Sequence, residues 1–202
     1  MITNRLFEHR RKKRHEAVRI GLCSLRHNAG CTCISIALAN YLCSHDNQPT
    51  ACIELNGTRR FACLSNPDQC SRKANPCFIR NRIHFYPEMT LPELSSIDRH
   101  RYAYQVIDFG VITQSVKAEF LNCDVKLVLC SFPEWKKAET LEQLFVLFPN
   151  QTMQKGITLL GDPLVENSER GAFRLLSLPF ITNPFQITFH EFEVFEKILT
   201  GV

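Results

Sequence analysis

Hydrophobic and polar positions alternate along this chain in blocks that predict strands and helices in turn. Short apolar runs predict strands at residues 18–24, 50–55, 82–86, 104–110, 125–130, 156–160 and 172–176. Apolar residues at helical spacing predict helices at 31–44, 90–97, 133–147 and 190–199, the last with Phe192, Phe195, Ile198 and Leu199 on its inner side. This alternation is typical of a three-layer α/β domain, in which helices flank a mainly parallel sheet.

Two segments do not follow the pattern. Residues 56–81 are rich in Asn, Arg, Cys and Pro and have little periodicity, which predicts an irregular insertion. Residues 1–17 are polar and basic, which predicts a flexible arm. We therefore expect a basic arm at 1–17 and a single α/β domain at 18–202, with an irregular insertion around 56–81.

The charge of the chain is concentrated at its N-terminus. The whole chain carries +4, but residues 1–19 hold seven Lys or Arg and two Glu, so the remainder is close to neutral. A solvated tail is the favoured interpretation of the arm, because aromatic residues are not interleaved with its charges. The alternative is that the arm contacts nucleic acid or an anionic membrane surface. The residues that would make this contact are Arg10, Arg11, Lys12, Lys13 and Arg14.

The apolar runs and the cysteines indicate the cellular compartment of the protein and the redox state of its thiols. No run reaches the roughly 18 apolar residues of a membrane span, and no apolar signal segment follows the basic start, so we expect a cytoplasmic protein, with membrane association through partner proteins left open. Ten Cys are then expected to be reduced thiols, and Cys23, Cys52 and Cys130 lie within apolar strands. Three further cysteines recur every seven residues: Cys63, Cys70 and Cys77. Zinc sites usually contain cysteine pairs separated by only two to four residues, so this spacing favours unpaired thiols and leaves metal binding open.

The richest chemical signal lies in residues 18–42. An apolar strand leads through a short polar turn ending at Gly30 into a helix that begins near Cys31. This order is typical of a phosphate loop, in which backbone N–H groups and a helix N-terminus surround phosphates, a Lys reaches them and a Ser or Thr holds magnesium. Gly30 and Thr32 fit that pattern, but Cys31 stands at the Lys position and Leu25 at the first Gly position.

Three segments together resemble the MinD/ParA-type P-loop ATPases, whose phosphate loop has the pattern K-G-G-x-G-K-T-[ST]. The loop here reads Arg26-His27-Asn28-Ala29-Gly30-Cys31-Thr32-Cys33. Glu54-Leu-Asn56 occupies the place of the D-x-D turn after the second strand, and the strand ending in Asp108-Phe-Gly110 is similar to the Walker B strand. The resemblance extends in order over roughly residues 18–200 and implies a P-loop fold.

The resemblance also implies a ligand and a set of contacts. It implies ATP or ADP with Mg²⁺, with the metal at Thr32 and Asp108 wherever a nucleotide binds. For Glu54, pairing with a neighbouring basic group is favoured over a catalytic role. The nucleotide contacts that the resemblance implies are Arg26, Asn28, Ala29, Gly30, Cys31, Thr32 and Cys33.

The departures from the pattern decide the functional expectation. The family uses two loop lysines, one on the bound phosphates and one acting across a nucleotide-sandwiched dimer; Arg26 keeps a cation at the second position, and Cys31 supplies none at the first. We expect weak or absent hydrolysis and a bacterial scaffold or localisation factor that binds partner proteins, including a homodimer, similar to TadZ-like pilus-assembly proteins. The alternative is an active, ATP-dependent dimerising ATPase in which Arg26 provides the missing cation.

Three further side chains have two interpretations each. Cys31 and Cys33 lie near a helix N-terminus, which can lower the pKa of a thiol. A redox or nucleophilic role would need a positioned base, and only His27 is near in sequence, so incidental small residues are favoured. Trp135 follows Pro133 at a predicted helix start. A packing anchor is favoured there, and an interface residue is the alternative.

Overall fold

The computed structural model describes residues 16–45, 47–65, 77–161 and 171–200, and its strands form one eight-stranded sheet. The strand order is β3-β4-β2-β5-β1-β6-β7-β8. Neighbouring strands are parallel, except that β3 runs antiparallel to β4 at one edge. The strands are β1 (Val18–Ser24), β2 (Thr50–Glu54), β3 (Phe78–Arg80), β4 (Ile83–Tyr86), β5 (Tyr104–Val111), β6 (Val125–Leu129), β7 (Ile157–Leu160) and β8 (Arg174–Leu176).

Helices connect the parallel strands. Single 3₁₀ turns occur at Ala62–Leu64, Arg99–Arg101 and Glu134–Lys136. The α-helices of the described residues are α1 (Cys31–His45), α2 (Leu91–Ser96), α3 (Gln114–Leu121), α4 (Lys137–Leu147), α5 (Gln151–Lys155) and α6 (Phe189–Thr200). The expected α/β class, a mainly parallel sheet flanked by helices, is confirmed.

The two faces of the sheet bury separate apolar clusters. Successive residues of a strand point to opposite faces, so Val106 of β5 lies in the cluster under α1 and α6, whereas Ile107 and Phe109 lie in the cluster under the other helices. Phe195 and Ile198 of α6 are buried as their spacing predicts. By the same alternation, Asp108 at the end of β5 points towards the α1 face.

Several local predictions were wrong. Within the expected irregular insertion, Phe78–Arg80 forms β3, which pairs with β4 through a tight turn at Asn81 and Arg82, both with positive φ. The helices α3 and α5 were not predicted, because each buries only one residue and shows little apolar periodicity. The residues 66–76 of the insertion and the arm residues 1–15 lie outside the described part of the chain.

Trp135 is not a packing anchor. Its side chain is 83% exposed on the 3₁₀ turn that precedes α4, so the favoured interpretation was wrong. The burial of Cys23, Cys52 and Cys130 is confirmed. Among the described residues no group of three or more His, Cys, Asp or Glu is arranged to hold a metal.

The remaining cysteine and membrane expectations are answered only in part. Cys63 is exposed and Cys77 half-buried, while Cys70 lies outside the described residues. None of the helices in the described ranges has the length and apolar character needed to cross a membrane.

Candidate phosphate-binding site

The loop after β1 lies at the carboxyl edge of the sheet, between the ends of β5 and β6. Ligands of parallel α/β sheets bind at this edge, where neighbouring connections leave in opposite directions. Asn28 has φ of 59° and Gly30 has φ of 92°. These positive values turn the chain sharply into α1, whose first backbone bond runs from Ile34 N–H to the Gly30 carbonyl at 3.0 Å.

The start of α1 presents unsatisfied donors to this edge. Among the described residues, none accepts a hydrogen bond from the four successive N–H groups of Gly30, Cys31, Thr32 and Cys33. The same four residues line a cavity of about 320 Å³. Backbone N–H groups at a helix N-terminus bind anions through their donors and through the positive end of the helix dipole. The local chemistry therefore suits phosphate.

Asp108 joins β5 to this helix start. Its carboxylate is fully buried and accepts hydrogen bonds from Thr32 Oγ1 at 2.8 Å and from Gly110 N–H at 2.9 Å. Gly110 has φ of 62°, and a Cβ there would lie 2.6 Å from Asn56 Cβ, so both the backbone conformation and the space require glycine. The two residues expected to share a magnesium ion are in direct contact.

Cys31 takes up the lysine position without supplying a cation. Its thiol is buried, and burial raises its pKa well above the ordinary value, with a further increase from the negative charge of Asp108. Burial also raises the pKa of Cys33. The idea that the helix N-terminus lowers these pKa values was therefore wrong, and the incidental interpretation is the better one.

Glu54 ends β2 directly opposite Asp108 in the strand register, and it is also fully buried. The expected pairing with a basic side chain is absent from the described residues. Its carboxylate instead accepts hydrogen bonds from Thr58 Oγ1 at 2.9 Å, from the Arg60 backbone N–H at 2.8 Å and from the Glu88 N–H at 3.2 Å. Glu54 therefore anchors the loop that follows β2.

The cavity brings together every nucleotide contact that the resemblance implies, and its lining includes further residues that sequence reasoning missed. Thr58 and Arg60 reach it from the loop after β2. Arg60 donates from Nη2 to Asn28 Oδ1 at 3.2 Å, which joins that loop to the phosphate loop. The signal was the pair of arginines shortly after the end of β2, where the carboxyl edge of a parallel sheet places its ligands.

Arg26 also lines the cavity, but its guanidinium group forms an ion pair with a carboxylate. Arg26 Nη2 lies 3.1 Å from Glu139 Oε1 on α4, and both side chains are at least one-third exposed. Exposed ion pairs of this kind are worth about 0–1 kcal/mol. Arg26 is therefore partly neutralised in this conformation, although the pair is weak enough to exchange.

A second groove, of about 630 Å³, lies near the other end of α1. Its lining includes Tyr41, His45 and Phe192, and the two rings of Tyr41 and His45 are stacked with centroids 5.2 Å apart. Neither the phosphate loop nor the start of α1 lines it. The phosphate chemistry belongs to the smaller cavity.

Comparison with solved structures agrees with the observed fold. A plasmid partition protein of Borrelia burgdorferi B31, solved bound to AMPPNP, is 14% identical, with 92% of this chain and 98% of that chain covered at a TM-score of 0.62. The chain has the MinD/ParA-type P-loop fold. The cell division ATPase MinD of Pyrococcus furiosus is 11% identical, with 89% and 97% covered at a TM-score of 0.60.

A third MinD/ParA-type structure is a complex. It is the MinC:MinD cell division protein complex of Aquifex aeolicus, 12% identical, with 91% of this chain and 94% of that chain covered at a TM-score of 0.61. No protein-family model matches the sequence. No characterised protein matches it by sequence either. The likeness is therefore one of MinD/ParA-type fold, with sequence identities of 11–14% for these structures.

Proposed function

We propose that this protein is a nucleotide-binding scaffold that holds ATP or ADP with Mg²⁺ and hydrolyses ATP weakly or not at all. One observation carries the binding half of the proposal: four successive N–H groups at the start of α1, for which no described residue is an acceptor, face a cavity that Thr32 also lines, and the Thr32 hydroxyl contacts the buried Asp108 carboxylate. That combination suits a polyphosphate with a divalent cation.

The donor set fits magnesium nucleotide. Mg²⁺ in such sites takes one or two protein oxygens together with phosphate oxygens and water. The Thr32 hydroxyl and the Asp108 carboxylate provide those oxygens, and the ion would supply charge stabilisation for the phosphates. Asp108 and the adjacent Glu54 are both fully buried, and no described basic side chain forms an ion pair with either. A bound divalent cation would offset that buried negative charge.

The weak hydrolysis follows from Cys31. Phosphoryl transfer depends mainly on positioning and on positive groups around the transferred phosphoryl. Cys31 is a protonated, buried thiol at the position where the family pattern has lysine. Each 1.4 kcal/mol of lost transition-state stabilisation slows the reaction about tenfold, whereas the backbone cradle that binds the ground state does not depend on this side chain.

The scaffold half rests on exposed apolar residues beside the loop. Trp135 is 83% exposed and lies on the turn that leads into α4, whose Glu139 contacts Arg26. Phe180 is 90% exposed and precedes Ile181, whose carbonyl contacts Cys33 Sγ at 3.8 Å. Aromatic residues are enriched at protein–protein interfaces, and tryptophan in particular is a frequent binding anchor there. We assign these two to partner proteins, including a second copy of this chain.

Titration calorimetry of the full chain with ATP and with ADP, each with and without Mg²⁺, tests the binding. We expect saturable binding that Mg²⁺ strengthens, with phosphate release at the level of a protein-free control. Absence of binding to either nucleotide would overturn the proposal. Steady phosphate release that Thr32→Ala and Asp108→Ala abolish would overturn the inactive half and leave the binding half intact.

The second candidate function is an active, ATP-dependent dimerising ATPase. It is favoured by the two arginines that line the cavity, Arg26 and Arg60. It predicts that ATP with Mg²⁺ moves the sedimentation coefficient from monomer to dimer and that phosphate release rises with dimer formation. An unchanged sedimentation profile would refute it.

A further inference from the structure

The cavity needs a cation that Cys31 does not provide, and the loop after β2 carries one. Within the described residues, no carboxylate lies within ion-pair distance of the Arg60 guanidinium. Its partner is the neutral amide oxygen of Asn28 at 3.2 Å. The charge of Arg60 is therefore unneutralised at the mouth of the phosphate loop, in contrast to that of Arg26.

The backbone holds Arg60 in place from both sides. Its own N–H donates to the buried carboxylate of Glu54 at 2.8 Å, and the next residue, Phe61, is fully buried. Phe61 packs edge-to-face against Phe85 of β4 with centroids 5.4 Å apart. For a long exposed side chain on a mobile backbone, the entropy cost of ordering both would offset much of the binding free energy. Here the backbone is anchored, so only the side chain has to be ordered.

The neighbouring Arg59 shows the contrast. It is exposed, has φ of 61° and forms an ion pair with Glu88, and it does not line the cavity. Two adjacent arginines thus have different surroundings: one is paired with a carboxylate outside the cavity, and the other is unpaired and contacts the phosphate loop.

We infer that Arg60, on the loop after β2, is the cation that binds the phosphates of the nucleotide ground state, while Cys31 still leaves the lysine position of the phosphate loop uncharged. This inference rests on the proposed function, because it assumes that a polyphosphate binds at the start of α1. Arginine suits the role, since its planar fork donates two parallel hydrogen bonds to phosphate oxygens. The cation then lies on a separate loop, and because the backbone of that loop is already anchored, phosphate binding orders only the Arg60 side chain.

Binding of ATP with Mg²⁺ to the full chain, measured by calorimetry at several salt concentrations, tests the inference with variants of three arginines: Arg60, Arg59 and Arg26. We expect Arg60→Gln to weaken binding about tenfold to a hundredfold, the range for loss of a charged hydrogen bond. Arg60→Lys keeps the charge and loses the fork, so its loss is smaller. Arg59→Gln is the matched control and stays within about twofold of the wild type.

Two further readouts separate a direct contact from a structural effect. Without nucleotide, the melting temperature of Arg60→Gln equals that of Arg59→Gln, because both side chains are exposed. The affinity of Arg60→Gln falls less steeply with added NaCl than that of the wild type, because one screened charge pair is gone.

Each other outcome has a distinct meaning. If the wild type binds ATP and Arg60→Gln binds it with an affinity within twofold of the wild type, this inference is overturned while the proposed function stands. If Arg59→Gln and Arg60→Gln lose the same affinity for ATP, the effect comes from general surface charge, and the inference about Arg60 is also overturned. A loss caused by Arg26→Gln but not by Arg60→Gln would assign the cation to the phosphate loop. A wild-type chain that binds no nucleotide would overturn both proposals together.

Discussion

Replacing Thr32 by Val tests the contact on which the metal site depends. Valine has nearly the shape of threonine, so the change removes one hydroxyl and leaves no cavity. The hydroxyl donates to the buried Asp108 carboxylate at 2.8 Å. A hydrogen bond to a charged group contributes about 1.5–3 kcal/mol. At about 2–4 °C for each kcal/mol in a chain of this length, Thr32→Val should lower the melting temperature by about 3–12 °C without ligand.

Urea unfolding followed by circular dichroism gives the same quantity as a free energy. Thr32→Ser is the matched control, because it keeps the hydroxyl and should cost about 1 kcal/mol or less, the value of one buried methyl group. The second readout is the rise in melting temperature on adding ATP with Mg²⁺, which follows the occupancy of the site. That rise should be largely lost in Thr32→Val and kept in Thr32→Ser.

Two results would refute this reasoning. If Thr32→Val unfolds at the wild-type temperature, the bond to Asp108 contributes nothing in solution. If the variant is destabilised as expected and yet keeps the full Mg²⁺-dependent rise, Thr32 has a structural role only.

Three further predictions concern the rest of the molecule. Gly161→Ala should destabilise the fold by several kcal/mol or prevent soluble expression, because a Cβ there would lie 1.9 Å from the Cys130 carbonyl oxygen, and normal expression with unchanged urea unfolding would refute it. Raising the pH from 9 to 11 should lower the free energy of unfolding, because burial raises the pKa of Cys123 and Cys130 to about 12 while the unfolded thiols ionise near 9.0. Each such thiol contributes a slope of up to about 1.4 kcal/mol per pH unit in that range, and a flat profile in alkaline urea titrations would contradict it. Trp135→Ala should change stability by less than about 0.5 kcal/mol, and the emission of this single tryptophan should shift little on unfolding, since its side chain is 83% exposed.

The sequence predicted the centre of the fold because its signals there are local. The first strand is buried at all seven positions and α1 is apolar on most sides, so their apolar runs are long and unambiguous. Asp108 could be placed as well, because a carboxylate at the end of an apolar strand is visible in the sequence. Its contact with Thr32 then follows from the strand–loop–helix order.

The parts that were missed depend on contacts between distant segments. The three residues of β3 are a strand only because β4 pairs with them at the edge of the sheet. Glu54 was expected to meet a basic side chain, but backbone N–H groups of Arg60 and Glu88 satisfy it, and backbone donors leave no trace in residue identity. Trp135 was predicted to be buried because tryptophan side chains are mostly buried in folded proteins. Nothing in the neighbouring sequence indicates that this one is exposed.

The position of Arg60 illustrates the same limit. Its charge is evident in the sequence, but its direction is set by the Glu54 contact on one side and by the buried Phe61 on the other. Composition at residues 56–81 indicated an irregular segment. The structure shows that the first part of this segment belongs to the candidate site.

The fate of nucleotide in a single turnover distinguishes a nucleotide-binding scaffold from an ATPase. The full chain, in excess over labelled ATP with Mg²⁺, is separated from unbound nucleotide after incubation, and the bound label is identified. We expect the protein to retain intact ATP, with no more ADP than a protein-free control contains. Protein that carries no label, or label recovered mainly as ADP and phosphate, would contradict it.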